Sequence, residues 1–87
     1  MAISTAELVD KVKGLQQTSD KLSNMIGAAE QDLKKSANAM AALTRGSRSG
    51  EEATGSVRNA SGALGNASLS LKALCRSCDE FIQNAVK

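Results

Sequence analysis

Residues 43–55, LTRGSRSGEEATG, divide an 87-residue chain near its midpoint and decide how the rest is read. The stretch holds three glycines and two arginines in a sequence that has neither proline nor histidine. Such a composition suits a flexible break between two units or the tip of a hairpin. The residues on each side separate those alternatives.

Upstream, Leu8, Leu15, Leu22, Ala29, Ser36 and Leu43 recur every seven residues, and Val12, Ser19, Ile26, Leu33 and Met40 form a second row at the same interval. The two rows interleave with alternating steps of four and three, the signature of a helical heptad seam, with Ser19 and Ser36 as its polar interruptions. Ser4-Thr5-Ala6-Glu7 fits a capping box, in which the serine oxygen takes an orphan N–H of the first turn. The spacing predicts a helix from about residue 5 to 43, roughly 58 Å long.

Downstream, Val57, Leu64, Leu71, Cys78 and Ala85 form one row and Ala60, Ala67, Leu74 and Phe81 another, with Cys75 and Ile82 widening the stripe. Ser49-Gly50-Glu51-Glu52 offers a second capping box, with acids where the helix dipole favours them. A second helix is predicted from about 50 to 86. The turn then spans about 44–49, with Thr44, Arg45 and Gly46 at its start. Gly46 suits a left-handed C-cap, and Arg45 sets a cation at the negative end of the first helix. Two helices of similar length joined by so short a turn fold back antiparallel. The expected fold is all-α, a single helical hairpin domain over 1–87.

Composition agrees and narrows the function. Phe81 is the only aromatic residue, so burial must come from Leu, Ile, Val, Met and Ala along an extended seam. A chain this short buries a modest core alone, which predicts a partner that completes a four-helix bundle. Eleven Lys and Arg against nine Asp and Glu leave a net charge of +2, with the signs interleaved. That is not the clustered basic footprint of a nucleic-acid binder. The opening MAISTAELVDKVKG has neither the basic region nor the apolar run of a signal peptide, and no stretch has the apolar length of a membrane span. A cytoplasmic location is expected, with any export following a route that cleaves no signal.

Gly55, Gly62 and Gly65 lower helix propensity in the first half of the second helix, each by about 1 kcal/mol relative to alanine. They either fray it or let another backbone approach. Gly55, Gly62, Gly65 and Leu69 share one face, which marks a second possible contact surface. Val9, Met25, Leu69 and Ile82 lie outside the main rows and leave apolar surface to spare. With Gly62, Gly65 and Phe81 they are the candidate partner-binding residues.

Chemistry finds little footing. There is no histidine, no Ser, Cys or Lys has a base at a recognisable spacing, and RGSRSG lacks the ending of a phosphate loop. No catalytic, metal or cofactor site is expected, and the protein is read as a non-enzyme. Cys75-Arg76-Ser77-Cys78 is half of a zinc site at most, and it sits deep in a helical heptad, where both cysteines act as small apolar residues. An intermolecular disulfide is the remaining possibility.

A short chain, a helical hairpin, a glycine-bearing turn at the midpoint and no cleavable signal resemble the WXG family of small type VII secretion proteins. They resemble more closely the small helical partners encoded beside LXG toxins. The opening ISTAELVDKVKGLQQTSDKLSNMI is similar to the start of such proteins, and Thr44-Arg45-Gly46 falls where the family's Trp-x-Gly turn lies. Thr44 stands in place of the tryptophan. The family's C-terminal export signal pairs an aromatic with an acid four residues on; Phe81 is present, but Ala85 is not acidic. The resemblance implies a targeting partner that binds the helical N-terminal domain of a toxin, or another small helical protein, and promotes export, with the export signal carried by the partner. The competing expectations are an assembly subunit of another secretion apparatus and a dimeric helical immunity or regulatory protein.

Overall fold

The computed structural model describes residues 4–85. It contains two α-helices and nothing else regular among the described residues: α1, Thr5–Leu43, and α2, Arg48–Ala85. They pack against each other as an antiparallel hairpin about 62 Å long. The expected all-α hairpin is what forms.

Local chemistry sets the helix ends. Ser4, in an extended conformation, accepts the Glu7 N–H through its hydroxyl at 3.1 Å and starts α1. At the other end the Thr44 N–H donates to the Met40 carbonyl at 2.9 Å, and the Thr44 hydroxyl donates to the same oxygen at 2.6 Å. The Ser47 N–H then donates to the Thr44 carbonyl at 2.9 Å, closing a four-residue turn. Gly46 stands third in that turn with φ +85°, the position where a type II turn requires the left-handed region. The helix start downstream differs from the expectation. Ser47, not Ser49, caps α2: its hydroxyl accepts from the Gly50 N–H at 3.2 Å, and its carbonyl from Glu51 at 2.9 Å. The turn is therefore 44–47, and α2 begins two residues early. Its expected end at 86 lies outside the described residues.

Glycines 55, 62 and 65 do not interrupt α2, which is continuous for 38 residues. Gly50 has a different task. A Cβ there would overlap the Thr44 side chain, so only glycine lets the first turn of α2 close over the end of α1.

The seam between the helices is where the structure departs most from the heptad reading. One expected row in each helix faces the other helix: Val12, Ser19, Ile26 and Leu33 in α1, and Val57, Leu64, Leu71 and Cys78 in α2, all buried or half-buried. The second row is not the one expected. In α1 it is Val9, Gln16, Ser23, Glu30 and Ala37; in α2 it is Thr54, Ser61, Ser68, Cys75 and Ile82. Leu8, Leu15 and Leu22 in α1, and Leu74 and Phe81 in α2, remain exposed.

Hydrogen bonding explains the exchange. The Ser23 hydroxyl donates to the Ser68 carbonyl and the Ser68 hydroxyl to the Ser23 carbonyl, both at 3.3 Å, with the two hydroxyls 3.1 Å apart. One heptad towards the termini, the Gln16 amide donates to the Cys75 carbonyl at 3.3 Å and the Cys75 thiol to the Gln16 carbonyl at 3.5 Å. One heptad towards the turn, the Ser61 hydroxyl donates to the Glu30 carbonyl at 3.2 Å. Ser23, Ser61, Ser68 and Cys75 reach the facing backbone on short side chains, so the helices approach closely along this row and leave it no room for leucine. The register advances seven residues up one helix and seven down the other, and no buried side-chain polar atom among the described residues lacks a partner.

Candidate functional site

The displaced leucines define the most distinctive surface of the molecule. Leu8, Leu15 and Leu22 each lie one residue before the seam positions Val9, Gln16 and Ser23. Phe81, Leu74 and Ala67 likewise lie one residue before Ile82, Cys75 and Ser68. One residue turns a side chain by about 100° around a helix. The two helices run in opposite senses, so equal turns away from the seam carry both rows to the same side of the hairpin. The result is one continuous apolar face built from both helices.

Its members are accessible. Leu8 is 37% exposed, Leu15 48%, Leu22 42%, Leu74 37% and Phe81 38%. Met25 flanks the α1 row and is 61% exposed; Leu43, the last of that row, stands at the turn at 87%. By contrast the buried residues among those described are few and small: Val9, Ala37 and Cys78 with Ser19, Ser23, Thr54, Ser61 and Ser68. The chain keeps its large apolar groups at the edge of its own packing and its small ones inside.

The opposite side of the hairpin is polar. There α1 shows Asp10, Gln17, Asn24, Gln31 and Asn38, all exposed. On α2, Gly62, Gly65, Asn66 and Leu69 line a shallow groove with Glu30, Lys34 and Lys72. Leu69 is 64% exposed, and Gly65 lies beneath the Glu30 carboxylate, which pairs with Lys34 at 3.6 Å.

The seven candidate partner-binding residues therefore fall in three places. Met25 and Phe81 belong to the apolar face. Gly62, Gly65 and Leu69 share one face, as their spacing implied, but it is the polar back. Val9 is buried in the seam and Ile82 half-buried beside it, so neither is surplus apolar surface; each is consumed by packing within the hairpin. Missing from the candidates were Leu8, Leu15, Leu22 and Leu74, which the heptad rows had assigned to the interior. The run of Ser, Thr, Ala and Cys at seven-residue spacing beside those rows was the signal that the interior lay elsewhere.

At the turn, Thr44 and Arg45 line a small hollow with Ala41, Glu51, Thr54 and Arg58. Thr44 is held by its bond to Met40 and packs on Gly50, so it works as a structural stop. Cys78 is buried, and Cys75 is half-buried and hydrogen-bonded. Burial, then the charge of Asp20 and the neighbouring Cys78, push the Cys75 thiol above its ordinary range. Both cysteines are free thiols. Neither described helix is long and apolar enough to cross a membrane.

Comparison of the chain with protein-family models, with curated proteins and with solved structures returns no match.

Proposed function

We propose that this protein is a non-catalytic recognition subunit of a type VII secretion system, whose apolar face docks on the helical N-terminal domain of an LXG-type toxin and promotes its export. One observation carries the recognition role: the large apolar side chains of both helices are gathered on one accessible face, while the hairpin closes itself with serines. A surface of this kind is unfavourable in water until a helical partner covers it. The toxin as partner rests on the sequence resemblance, in which small helical hairpins accompany such domains and the exported complex carries its signal on the partner.

The face has enough to offer. Full burial of a leucine or phenylalanine is worth about 1.5–3 kcal/mol, and about two-fifths of each of the five large residues is still open to solvent. Covering them yields about 3–6 kcal/mol before ordering costs. Met25 and the half-buried Val12, Ile26, Leu64 and Leu71 at the edge of the face add to this.

The test is co-expression with the products of the adjacent genes and with an LXG-type toxin domain, followed by affinity capture and a secretion assay in a strain lacking the chain. Leu15→Asp places a carboxylate in the face and is expected to abolish capture and export. Gln17→Asp adds the same charge two residues on, on the polar side, and is expected to preserve both. Equal behaviour of the two variants, or unchanged toxin export in the deletion strain, would sink the reading.

A further inference from the structure

Charge borders the apolar face on one side only. Along its α1 edge, Lys11, Thr18, Met25 and Asp32 form a row, each three residues after one member of the Leu8 row and four before the next. Three residues bring a side chain back to within about 60° of its starting direction, so this row stands just outside the leucines. All four are exposed, Met25 at 61%. The matching row at the α2 edge is Ser56, Ala63, Ser70, Ser77 and Asn84, exposed and without charge. The hairpin does not use the two charges itself. Its ion pairs among the described residues are Lys34–Glu30 and Arg48–Glu52, and neither Lys11 nor Asp32 pairs with a described residue.

The leucines alone do not fix how two partner helices lie on this face. Two seatings, related by a half-turn about an axis normal to the face, both give every helix antiparallel neighbours. They differ in which partner helix covers α1 and which covers α2. Apolar contact is non-directional and tolerates either. Ion pairs do not, because the wrong seating sets like charges together or leaves a charge against an apolar flank. With the α2 edge uncharged, the choice falls to α1.

We infer that Lys11 and Asp32 orient the toxin domain on the apolar face, by selecting for the place beside α1 the toxin helix that carries a base and, three heptads on, an acid. This deepens the proposed function and rests on the reading of that face as the toxin-binding surface. The selected helix runs opposite to α1, so its base meets Asp32 and its acid meets Lys11, about 32 Å away along the axis. Between them it sets an apolar residue over the exposed Met25 and a short or polar one over Thr18. The second toxin helix needs no charge, since the small side chains of the α2 edge offer none and let it approach closely. The partner is thus recognised by a charge pattern as well as by apolar area.

The experiment is isothermal titration of an LXG-type toxin domain into the full chain, with helicity checked by circular dichroism. A photo-crosslinking residue at Thr18 reports which toxin helix lies beside α1. Lys11, Lys13, Thr18 and Asp32 are exposed, so their substitution leaves the hairpin intact. Lys11→Glu and Asp32→Lys are each expected to weaken binding about tenfold at low salt. At about 1 M salt, where the Debye length is about 3 Å, the variants should converge on wild type. Lys13→Glu makes the same charge change nearly opposite on α1 and should bind as wild type does. Cross-links should fall on one toxin helix, the one with the base and the acid three heptads apart. Lys11→Glu and Lys13→Glu behaving alike, or cross-links shared between both toxin helices, overturns the orientation and leaves the proposed function standing. A wild-type chain that binds no toxin domain overturns the proposed function, and the orientation with it.

Discussion

Ser68→Leu offers the sharpest test of where the interior lies. A heptad reading treats the serines of α2 as polar flaws beside a leucine core, so leucine at 68 should add burial and stabilise. The structure gives the opposite sign. Ser68 is 7% exposed, its hydroxyl bonds the Ser23 backbone at 3.3 Å, and it faces Gly27, where an added Cβ would already lie 4.0 Å from its oxygen. Leucine removes that hydrogen bond, at a cost of about 0.5–1.5 kcal/mol. It also forces side-chain volume between two backbones, at about 1–3 kcal/mol. Ser23 keeps its bond to the Ser68 carbonyl, so no polar group is orphaned and the sum stays near 2–4 kcal/mol. For a chain of this size that is a fall of roughly 10–25 °C in Tm. Ala67→Leu, the adjacent residue on the open face, should stay within about 0.5 kcal/mol of wild type. Thermal and denaturant unfolding followed by circular dichroism, at one low protein concentration, decides between them. A Ser68→Leu variant as stable as wild type, with Ala67→Leu the damaging change, would refute the serine seam.

Three single residues carry further expectations. Gly50→Ala should destabilise by about 1–3 kcal/mol, because overpacking against Thr44 outweighs alanine's better helix propensity, whereas Gly62→Ala, with open space around it, should stabilise by about 0.5–1 kcal/mol; denaturant midpoints check both signs. For Cys75, burial and the Asp20 charge hold the thiol protonated above its ordinary value of 9.0, so alkylation resolved by mass spectrometry should show a midpoint above that value in the folded chain and the ordinary one in denaturant. The unfolded chain then loses its proton first, so this group's contribution to stability is complete below the unfolded value and disappears as pH rises from there to the folded one.

The fold was legible because it rests on local signals. Ser4 and Glu7 announce the first helix, Gly46 the reversal, and two unbroken runs of helix-compatible residues of equal length leave the chain no other compact choice. The start of α2 was misplaced because Ser47 and Ser49 are both credible caps; only the turn closed by Ser47 onto Thr44 selects the first. Which apolar row lies inside was not legible from hydrophobicity. Periodicity locates a stripe on a helix, and the stripe here is wider than the contact between two helices. Its edge that faces the other helix is chosen by close approach, and close approach depends on Ser23, Ser61 and Ser68 reaching the opposite backbone. Those residues count as polar in any hydropathy pattern. Val9 and Ile82 looked surplus for the same reason.

The division of labour between the two rows has a consequence for recognition. Hydrogen bonds from short side chains fix geometry within narrow limits but add little net stability, about 0.5–1.5 kcal/mol each. Leucines bring affinity without fixing register. In this hairpin the two roles are assigned to different faces: Gln16–Cys75, Ser23–Ser68 and Glu30–Ser61 set how the helices align, and Leu8 to Leu22 with Leu74 and Phe81 supply what a second body can bury. The aligned helices therefore present their leucines at fixed heights before any partner arrives, and the ordering cost of building that face is met within the chain. Any occupant must then fit a preset relief, with Leu8 and Phe81 standing at one end, the small Ser36 and Ala53 lying towards the turn, and Leu43 beyond them. Shape, fixed by serines, is what would let so plain a set of leucines discriminate between helical partners.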